Sequence, residues 1–330
     1  MAVTVLITGH AGLLGSRLAD WFLQNKPEVR VVGCDDFSGG YRENVSDGVT
    51  SININVGSIL MDGIFEEYQP DVVYHFAAYA AEGLSPFIRQ FNYRNNLVAT
   101  AGVVNNCIKH GVKRLVFTSS MAVYGSQKPP FAERMQPRPI DPYGVAKYAC
   151  EQDIRIAGEQ HGLDWCILRP HNVYGAKQNL WDTYRNVLGI WMYQLLHGQP
   201  ITIFGEGLQE RAFSDIRDCL EPMWRAGFNA AASKQIINLG SPENFSIAYA
   251  AGVLQGVTGL GEVLHLEPRH EAKLAHCTTQ KSEKLLGFQH NTSLATGLKD
   301  MWEWALLQPD RQKAKREKYE LDKGIYGYWK

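Results

Sequence analysis

The sequence predicts an α/β protein built on a doubly wound parallel sheet, followed by a smaller C-terminal lobe. Short apolar runs alternate with amphipathic helical patterns along the N-terminal part of the chain, which is typical of consecutive strand–helix units. The first apolar run, Val3 to Thr8, enters a glycine-rich turn, and chemically distinctive residues follow several later runs. Because parallel strands present their carboxyl ends at one edge of a sheet, we expect these residues to form one site there.

The composition is that of an ordinary globular protein. The 330 residues are 45% hydrophobic and 20% charged, which provides a core for one large domain or two linked ones. A net charge of -1 gives no indication of nucleic-acid or membrane-surface binding. The six cysteines show no CxxC spacing, so we expect no metal site or disulfide framework and a reducing, cytoplasmic location. No apolar run approaches the roughly 20 residues of a membrane helix, and no membrane partner is expected.

The glycine-rich turn predicts a Rossmann-like dinucleotide site. It lies between the first predicted strand and an amphipathic helix that runs to about Asn25, and its spacing is GxxGxxG. Small residues in this position let the backbone approach a pyrophosphate, which then rests on the helix N-terminus. The predicted cofactor contacts of the turn are Gly9, Gly12, Leu13, Leu14 and Gly15.

An acidic pair ends the second predicted strand, Arg30 to Asp35. Asp35 lies twenty residues beyond Gly15, where a carboxylate binds the adenosine ribose hydroxyls, and Asp36 follows it. A carboxylate in this place repels a 2′-phosphate, so the predicted cofactor is NAD rather than NADP. The structural alternative for Asp35 is a solvated acid at a strand end.

Further strands and helices continue the alternation. We predict a strand over Ser51–Val56, a helix over Ile59–Tyr68, a strand over Val72–His75, a long helix over Pro86–His110 and a strand over Arg114–Ser119. Residues at the strand ends are predicted to border the cofactor, although simple packing also explains the small ones. These candidates are Asn55, Val56, Phe76, Ala77 and Ala78, with Asn96 on the long helix.

Tyr143 and Lys147 form the candidate catalytic pair. At i and i+4 they share one helix face, and Asp141 and Pro142 before them are typical of a helix start. A free phenol titrates near ~10, so a tyrosinate base at neutral pH needs several favourable charges together. Ser120 lies upstream at a predicted strand end. The structural alternative is a surface tyrosine that covers the lysine methylenes.

These motifs together resemble the extended short-chain dehydrogenase/reductase family, and within it the nucleotide-sugar epimerases, dehydratases and decarboxylases. The match extends over nearly the whole chain. It rests on Gly9–Gly15, Asp35, His75–Ala78, Ser119–Gly125, Tyr143–Lys147, Arg169–Gly175, Gly205–Gly207 with Arg211, and Asn238–Ser241. The resemblance implies a dinucleotide domain over 1–172 and 215–239, and a substrate-binding lobe over 173–214 and 240–330.

The family resemblance also implies roles for individual residues. Tyr143 would move the proton of a sugar hydroxyl while hydride passes to NAD, Ser120 would hydrogen-bond the same oxygen, and Lys147 would hold the nicotinamide ribose. Tyr79 and Pro170 are further implied cofactor contacts. The implied contacts to a nucleotide-diphosphate sugar are Ser120, Tyr143, His171, Asn172, Asn186, Val187, Phe204, Arg211 and Arg269. Helices over 92–110 and 143–162 are expected to pair in a homodimer.

Departures from the family pattern narrow the expected activity. Met121 and Ala122 stand where 4,6-dehydratases carry Asp-Glu, so the acid and base for elimination are missing. The expected activity is NAD-dependent C4 epimerisation of a UDP-hexose through a 4-keto intermediate. Alternatives are a nucleotide-sugar oxidoreductase, another 4-keto-forming enzyme such as a decarboxylase, dehydratase or 3,5-epimerase, and a non-catalytic NAD-binding protein. The segment from Arg311 to Lys330 is expected to be a terminal helix and tail, without an assigned function.

Overall fold

A computed structural model describes residues 3–314, 316 and 318–329. Its strands are β1 (Thr4–Thr8), β2 (Arg30–Asp35), β3 (Thr50–Asn53), β4 (Val72–His75), β5 (Arg114–Thr118), β6 (Trp165–Pro170), β7 (Val173–Tyr174), β8 (Ile201–Phe204), β9 (Glu210–Arg211), β10 (Ser214–Asp215), β11 (Gln235–Leu239), β12 (Phe245–Ser246), β13 (Val263–Leu266) and β14 (Leu274–Ala275). Its α-helices are α1 (Leu13–Asn25), α2 (Met61–Tyr68), α3 (Arg89–Tyr93), α4 (Ala99–Lys109), α5 (Pro142–His161), α6 (Val187–Leu196), α7 (Ile216–Phe228), α8 (Ile247–Thr258), α9 (Gln280–Leu286) and α10 (Leu294–Ala305).

The main sheet has seven parallel strands in the order β11-β6-β5-β4-β1-β2-β3. The strand order reverses between β1 and β4, so a crevice opens beyond their carboxyl ends. Every residue of β1, β4 and β5 is buried, as expected for parallel strands that are covered on both faces. The predicted doubly wound α/β fold is confirmed.

Helices cover both faces of the sheet and form two separate hydrophobic cores. On one face, Phe22 of α1 packs with Met223 of α7 and with Leu286 of α9. On the other face, Phe65 of α2 lies in one core with side chains of α4 and α5. Because each helix turns its apolar side to the sheet, the polar ends of the strands stay open at the edge.

The smaller lobe surrounds a third hydrophobic core. Trp191 of α6, Leu254 of α8 and Met301 of α10 are fully or almost fully buried together. Two small sheets belong to this part of the chain: β8 pairs with β13, and β9 lies between β12 and β14. The chain enters this lobe through β7 and returns through α7 and β11, which joins the main sheet beside β6. Helix α9 lies in the 240–330 range that the sequence assigns to the lobe, but it packs on the main sheet.

The predicted helix over Pro86–His110 is not one continuous α-helix. It consists of a 3₁₀ turn at Ser85–Phe87, then α3, a π-helical stretch at Arg94–Val98 and α4. Asn96 lies in the π stretch, and its side chain is hydrogen-bonded on two sides: the amide donates to the Tyr79 carbonyl at 3.1 Å and the oxygen accepts from the Tyr79 N–H at 2.9 Å. Asn96 therefore supports the loop after β4 from within the π stretch.

Two other predicted elements differ from the structure. The third strand ends at Asn53 instead of Val56, because Asn55 turns to accept a hydrogen bond from the Gly57 N–H at 2.9 Å. The described residues of the segment beyond Arg311 contain a 3₁₀ turn at Gly327–Trp329 and no α-helix. Lys330, the end of that predicted segment, lies outside the described residues.

Within the part of the chain that the structure describes, no helix is long and apolar enough to cross a membrane. The same residues contain no cluster of three or more histidine, cysteine or carboxylate side chains that could hold a metal ion. All six cysteines are free thiols and all are buried.

A buried ion pair joins α5 to β6 immediately behind the carboxyl edge of the sheet. Glu151 and Arg169 are about 1% exposed, and the carboxylate accepts from Arg169 Nε at 2.9 Å and from Nη2 at 2.6 Å. Ser119 at the end of β5 also donates to Glu151, and Arg169 Nη1 donates to the Tyr124 hydroxyl at 2.8 Å. The Tyr124 hydroxyl donates in turn to Asn238 of β11 at 2.8 Å, so one polar network spans three strands and α5.

Replacement of Glu151 by glutamine is expected to lower the free energy of unfolding by about 3–5 kcal/mol, because it leaves the Arg169 guanidinium buried without a counter-charge. Chemical denaturation measures the change. The matched control is Glu303→Gln, which breaks an exposed pair with Lys299 (3.9 Å) and should cost no more than about 0.5 kcal/mol. A loss below 1 kcal/mol in Glu151→Gln would contradict a structural role for the pair.

Candidate active site

A cleft of about 320 Å³ lies over the point where the strand order reverses. Its walls come from the turn after β1, the end of β2, the loops after β3, β4 and β5, and the start of α5. Nearly all predicted cofactor contacts line it: Gly9, Gly12, Leu13, Leu14, Gly15, Asp35, Asp36, Asn55, Val56, Phe76, Ala77, Ala78, Tyr79, Tyr143, Lys147 and Pro170. We call this cleft the cofactor cleft.

The glycines of the first turn permit contacts that a larger residue would block. A Cβ on Gly15 would lie 2.2 Å from the Gly9 carbonyl oxygen. Gly9 has φ +73°, and a Cβ there would lie 2.8 Å from the backbone nitrogen of Ala77. The turn after β1 therefore packs directly on the loop after β4, next to the start of α1.

Asp35 lies at the end of β2 with both carboxylate oxygens engaged by backbone. One oxygen accepts from the Ala11 N–H at 3.0 Å and the other from the Phe37 N–H at 2.8 Å. The side chain is 8% exposed and lines the cleft. This arrangement holds the carboxylate in a fixed direction beside the glycine turn, where its remaining lone pairs can accept from a ribose.

Tyr143 and Lys147 are held by the first turns of α5. Asp141 caps this helix, accepting from the Gly144 N–H at 2.9 Å, and Pro142 occupies the first helical position, as the sequence predicts. Lys147 is 2% exposed, and its ammonium donates to the Thr118 carbonyl at 2.8 Å. The ammonium lies 5.9 Å from the centre of the Tyr143 ring. The pair is therefore buried and directed into the cleft, so the alternative of a surface tyrosine is wrong.

The protein alone favours a neutral phenol. Burial raises the pKa of Tyr143 well above its usual value; the nearby Ser120 hydroxyl lowers it, and the carboxylates of Glu82 and Asp141 raise it. Burial also lowers the pKa of Lys147 to about 8. These surroundings favour the neutral phenol, and a positive charge beside it would lower its pKa toward the range of a general base.

A second cavity of about 260 Å³ opens from the cofactor cleft toward the smaller lobe. The predicted substrate contacts that line it are Ser120, Tyr143, Asn172, Asn186, Val187, Phe204, Arg211 and Arg269. We call it the substrate cavity. Ser120 and Tyr143 line both spaces, so they lie at the junction where a group in the cleft meets a group in the cavity.

Asn172 and Asn186 are fixed by local geometry. Asn172 adopts a left-handed conformation (φ +36°) between β6 and β7, which asparagine tolerates better than most residues. Asn186 caps α6, where its side-chain oxygen accepts from the Leu188 N–H at 3.0 Å. The adjoining Val187 begins that helix, and all three residues face the substrate cavity.

Two arginines share one carboxylate at the far side of the substrate cavity. Glu271 binds Arg211 with an Nη2–Oε2 distance of 2.8 Å and Arg269 with an Nε–Oε1 distance of 3.2 Å. The Arg269 guanidinium also lies 4.5 Å from the centre of the Phe204 ring. The two guanidinium groups are therefore held side by side, which suits the oxygens of a diphosphate.

Two predicted site residues lie outside both cavities. His171 is fully buried near Phe131, with ring centres 6.4 Å apart, and burial lowers its pKa to about 3. It packs behind the site as a neutral ring, so the prediction that it contacts the substrate was wrong. Asn96 is 1% exposed and its side chain binds the Tyr79 backbone, so it supports the loop after β4. The prediction that Asn96 contacts the cofactor was therefore wrong.

Sequence reasoning missed three charged residues of the site: Glu82, Arg185 and the Glu271 carboxylate that binds both arginines. Glu82 lies in the loop after β4 and lines the substrate cavity between Asp141 and the arginine pair. Arg185 lines both spaces, pairs with Asp182 at 2.9 Å and lies against Gly39 on the opposite wall. The loop position of Glu82 after a strand end was the available signal, and Arg185 adjoins the predicted Asn186.

The cleft fits an extended dinucleotide. The close backbone approaches at Gly9 and Gly15 leave room for a pyrophosphate at the start of α1, Asp35 presents acceptors for ribose hydroxyls, and Lys147 presents an ammonium at the other end. The donor and acceptor set therefore agrees with the NAD prediction.

Comparison with known proteins places this arrangement in a family. The family model described as "NAD dependent epimerase/dehydratase family" matches residues 5–240. A UDP-glucose 4-epimerase of Mycolicibacterium smegmatis is 29% identical over 302 residues, covering 89% of this chain and 95% of that protein.

Solved structures agree in fold over almost the full length. The UDP-glucose 4-epimerase of Thermotoga maritima, solved with UDP-glucose, has a TM-score of 0.86 at 27% identity, covering 92% of this chain and 98% of that one. The UDP-glucuronic acid 4-epimerase of Bacillus cereus, solved with UDP-glucuronic acid and NAD, has a TM-score of 0.85 at 26% identity, covering 92% and 99%.

The chain belongs to the NAD-dependent epimerase/dehydratase family. Within that family it is similar to UDP-sugar 4-epimerases, as the sequence motifs predict. The cofactor prediction, NAD, is confirmed by the family and by the neighbours solved with NAD.

Gly15→Ala is expected to abolish the copurification of NAD, because the new Cβ would lie 2.2 Å from the Gly9 carbonyl and push the turn away from α1. Absorbance of the dinucleotide released by acid measures the effect. Gly63→Ala is the matched control: it lies in α2 with no atom within 4 Å of the new Cβ, and should stabilise the protein by up to about 1 kcal/mol. Equal NAD content in both variants would contradict the predicted steric requirement.

Glu82→Gln is expected to move the acidic limb of the kcat/KM profile to lower pH. The Glu82 carboxylate raises the pKa of Tyr143, so its neutralisation lowers that pKa and the base form appears earlier as pH rises. Asp62→Asn, a carboxylate on α2 paired with Lys109, is the control and should leave the profile unchanged. A shift to higher pH in Glu82→Gln would show that Glu82 does not act through the phenol.

Proposed function

We propose that the protein is a nucleotide-sugar 4-epimerase whose substrate is a UDP-hexose. The observation that carries the proposal is the position of Tyr143 and Ser120 at the junction of the cofactor cleft and the substrate cavity. A sugar carbon held there lies within reach of both a hydride acceptor and a proton acceptor. The similarity to UDP-sugar 4-epimerases supports the assignment.

The protein residues supply proton transfer and positioning. Tyr143 takes the proton of the C4 hydroxyl during oxidation and returns it during reduction, and Ser120 donates a hydrogen bond to the same oxygen. Lys147, protonated below about pH 8, holds the nicotinamide ribose and stabilises the phenolate. Bound NAD would supply the acceptor and donor of the C4 hydride and a positive charge beside the phenol.

The diphosphate is the fixed part of the substrate. Arg211 and Arg269, aligned by Glu271, bind its oxygens, and Asn172 contacts it near the sugar. Inversion requires the 4-keto sugar to turn so that hydride returns to its other face. A clamp on the diphosphate leaves the sugar free to rotate while its attachment point stays in place.

We also propose that the protein is a homodimer. Val98 beside α4 and Val145 and Ile156 on α5 are exposed apolar side chains. These helices are the ones for which the sequence predicts pairing across a two-fold axis. Pairing would remove these side chains from water, which favours association.

Proton NMR of the purified protein in D₂O, without added cofactor, tests the activity. UDP-glucose, UDP-galactose, UDP-glucuronic acid and UDP-N-acetylglucosamine are the substrates. Conversion to the C4 epimer without deuterium in the sugar ring is expected, because hydride returns to the carbon it left. Deuterium at C3 or C5 would instead identify an enolising enzyme such as a 3,5-epimerase or dehydratase. Formation of an oxidised or reduced sugar with stoichiometric consumption of added NAD or NADH would identify an oxidoreductase.

Tyr143→Phe is expected to reduce kcat by 10²–10⁴-fold, typical of a lost general acid–base, while bound NAD is retained. Tyr148→Phe is the matched control: it lies on the same helix, with its hydroxyl bound to Gln136 at 3.1 Å, and should keep full activity. An active Tyr143→Phe enzyme would rule out the proposed proton transfer.

A further inference from the structure

The segment from residue 318 to 329 forms part of the substrate cavity. We call it the wall segment. Tyr326, Tyr328 and Trp329 line that cavity, whereas no described residue beyond Asn186 lines the cofactor cleft. Ile325 and Trp329 are 7% and 2% exposed, so these two side chains are packed into the protein. The described residues of the wall segment therefore line the substrate cavity and not the cofactor cleft.

One end of the wall segment is attached to the main-sheet side of the molecule. The Glu320 carboxylate accepts from the backbone N–H groups of Gln90 and Phe91, both at 2.8 Å. The Glu320 N–H donates to the Phe87 carbonyl at 3.0 Å. Three hydrogen bonds from one residue therefore fix the segment to the start of α3.

Residues at both ends of the wall segment also contact Tyr184 and Gln194, which lie within the 173–214 range of the smaller lobe. The hydroxyl groups of Tyr319 and Tyr184 are 2.8 Å apart, and Tyr319 donates to the Trp329 carbonyl at 2.9 Å. The Trp329 ring packs edge-on against Tyr184, with ring centres 5.2 Å apart. Tyr328 accepts from Gln194 of α6 at 3.1 Å. The wall segment thus contacts both the start of α3 and the smaller lobe.

Tyr326 connects the wall segment to the arginine pair. Its hydroxyl accepts from the His270 N–H at 3.1 Å. His270 lies between Arg269 and Glu271, in a stretch from 267 to 273 that belongs to no helix or strand. Because this stretch has few bonds of its own, its position depends on outside contacts, and Tyr326 provides one of them. The Tyr326 ring also lies 6.3 Å from the Phe204 ring, on which Arg269 stacks.

We propose that the wall segment is a substrate-binding element, with Tyr326 as a positioning residue for Arg269 and Glu271. It rests on the proposed function only in taking the ligand of the cavity to be a nucleoside diphosphate. The segment closes the aromatic side of the cavity and holds the arginine pair in register with the diphosphate. Loss of its contacts weakens nucleotide binding and leaves NAD binding and the chemical step intact.

The test compares Tyr326→Phe and Glu320→Ala with Asp310→Ala. The control removes an acid whose side chain is 86% exposed and whose partner, His197, lies outside both cavities. Calorimetric titration with UDP, GDP, CDP and dTDP first identifies the nucleotide that the wild type binds. Bound NAD, KM and kcat are then measured for each variant.

We expect Tyr326→Phe to raise Kd and KM roughly 5–10-fold, the effect of one lost hydrogen bond, with kcat within twofold and NAD content unchanged. Glu320→Ala should raise Kd and KM further, and Asp310→Ala should have the Kd and KM of the wild type. Unchanged Kd in both test variants, or a parallel loss of NAD, would overturn the proposal. Failure of the proposed function appears instead in the wild type, as nucleotide binding without epimerisation. A wild type that binds none of the four nucleotides overturns both.

Discussion

The buried pair of Glu151 and Arg169 is the constraint on which the site depends. It connects the middle of α5 to the carboxyl end of β6 and, through the Ser119 hydroxyl, to the end of β5. Tyr143 and Lys147 lie one to two turns before Glu151 on the same helix. These hydrogen bonds therefore fix the position of α5, which carries Tyr143 and Lys147, relative to the ends of β5 and β6. A purely apolar contact in the same place would tolerate sliding, and the phenol would lose its fixed distance to Ser120.

Carboxylates lie close to the candidate base and to the two arginines of the site. Carboxylates at Glu82 and Asp141 raise the pKa of Tyr143, and Glu271 shares two arginines. Burial and these carboxylates both favour the neutral phenol, and Glu271 partly compensates the two guanidinium groups at the far side of the substrate cavity. A cation beside the phenol would lower its pKa, and an anion beside the arginines would compete with Glu271. The electrostatics of the two places therefore favour ligand groups of opposite charge.

Much of the fold and of the cofactor cleft follows from local sequence patterns. Strand periodicity, the glycine turn and Asp35 are short-range signals, and the cap at Asp141 places Tyr143 correctly. The incorrect or missing predictions concern residues whose surroundings are set by distant parts of the chain. Asn96 looks like a ligand contact until its bonds to Tyr79 are seen, and burial of His171 depends on the packing of several segments. Glu82 and the aromatic residues near the end of the chain reach the substrate cavity only through tertiary folding, which no window of neighbouring residues records.

The burial of all six thiols has a consequence for how this protein meets reactive chemicals. Burial raises the pKa of every one of them, including Cys150, one turn beyond Lys147 on α5. A protonated, enclosed sulfur is a poor nucleophile, so the native fold should resist alkylating agents and peroxide. The rate of thiol modification then measures how often the structure opens locally. Cys34, on β2, reports on the cofactor side of the sheet, and Cys277, close to β14, reports on the substrate side.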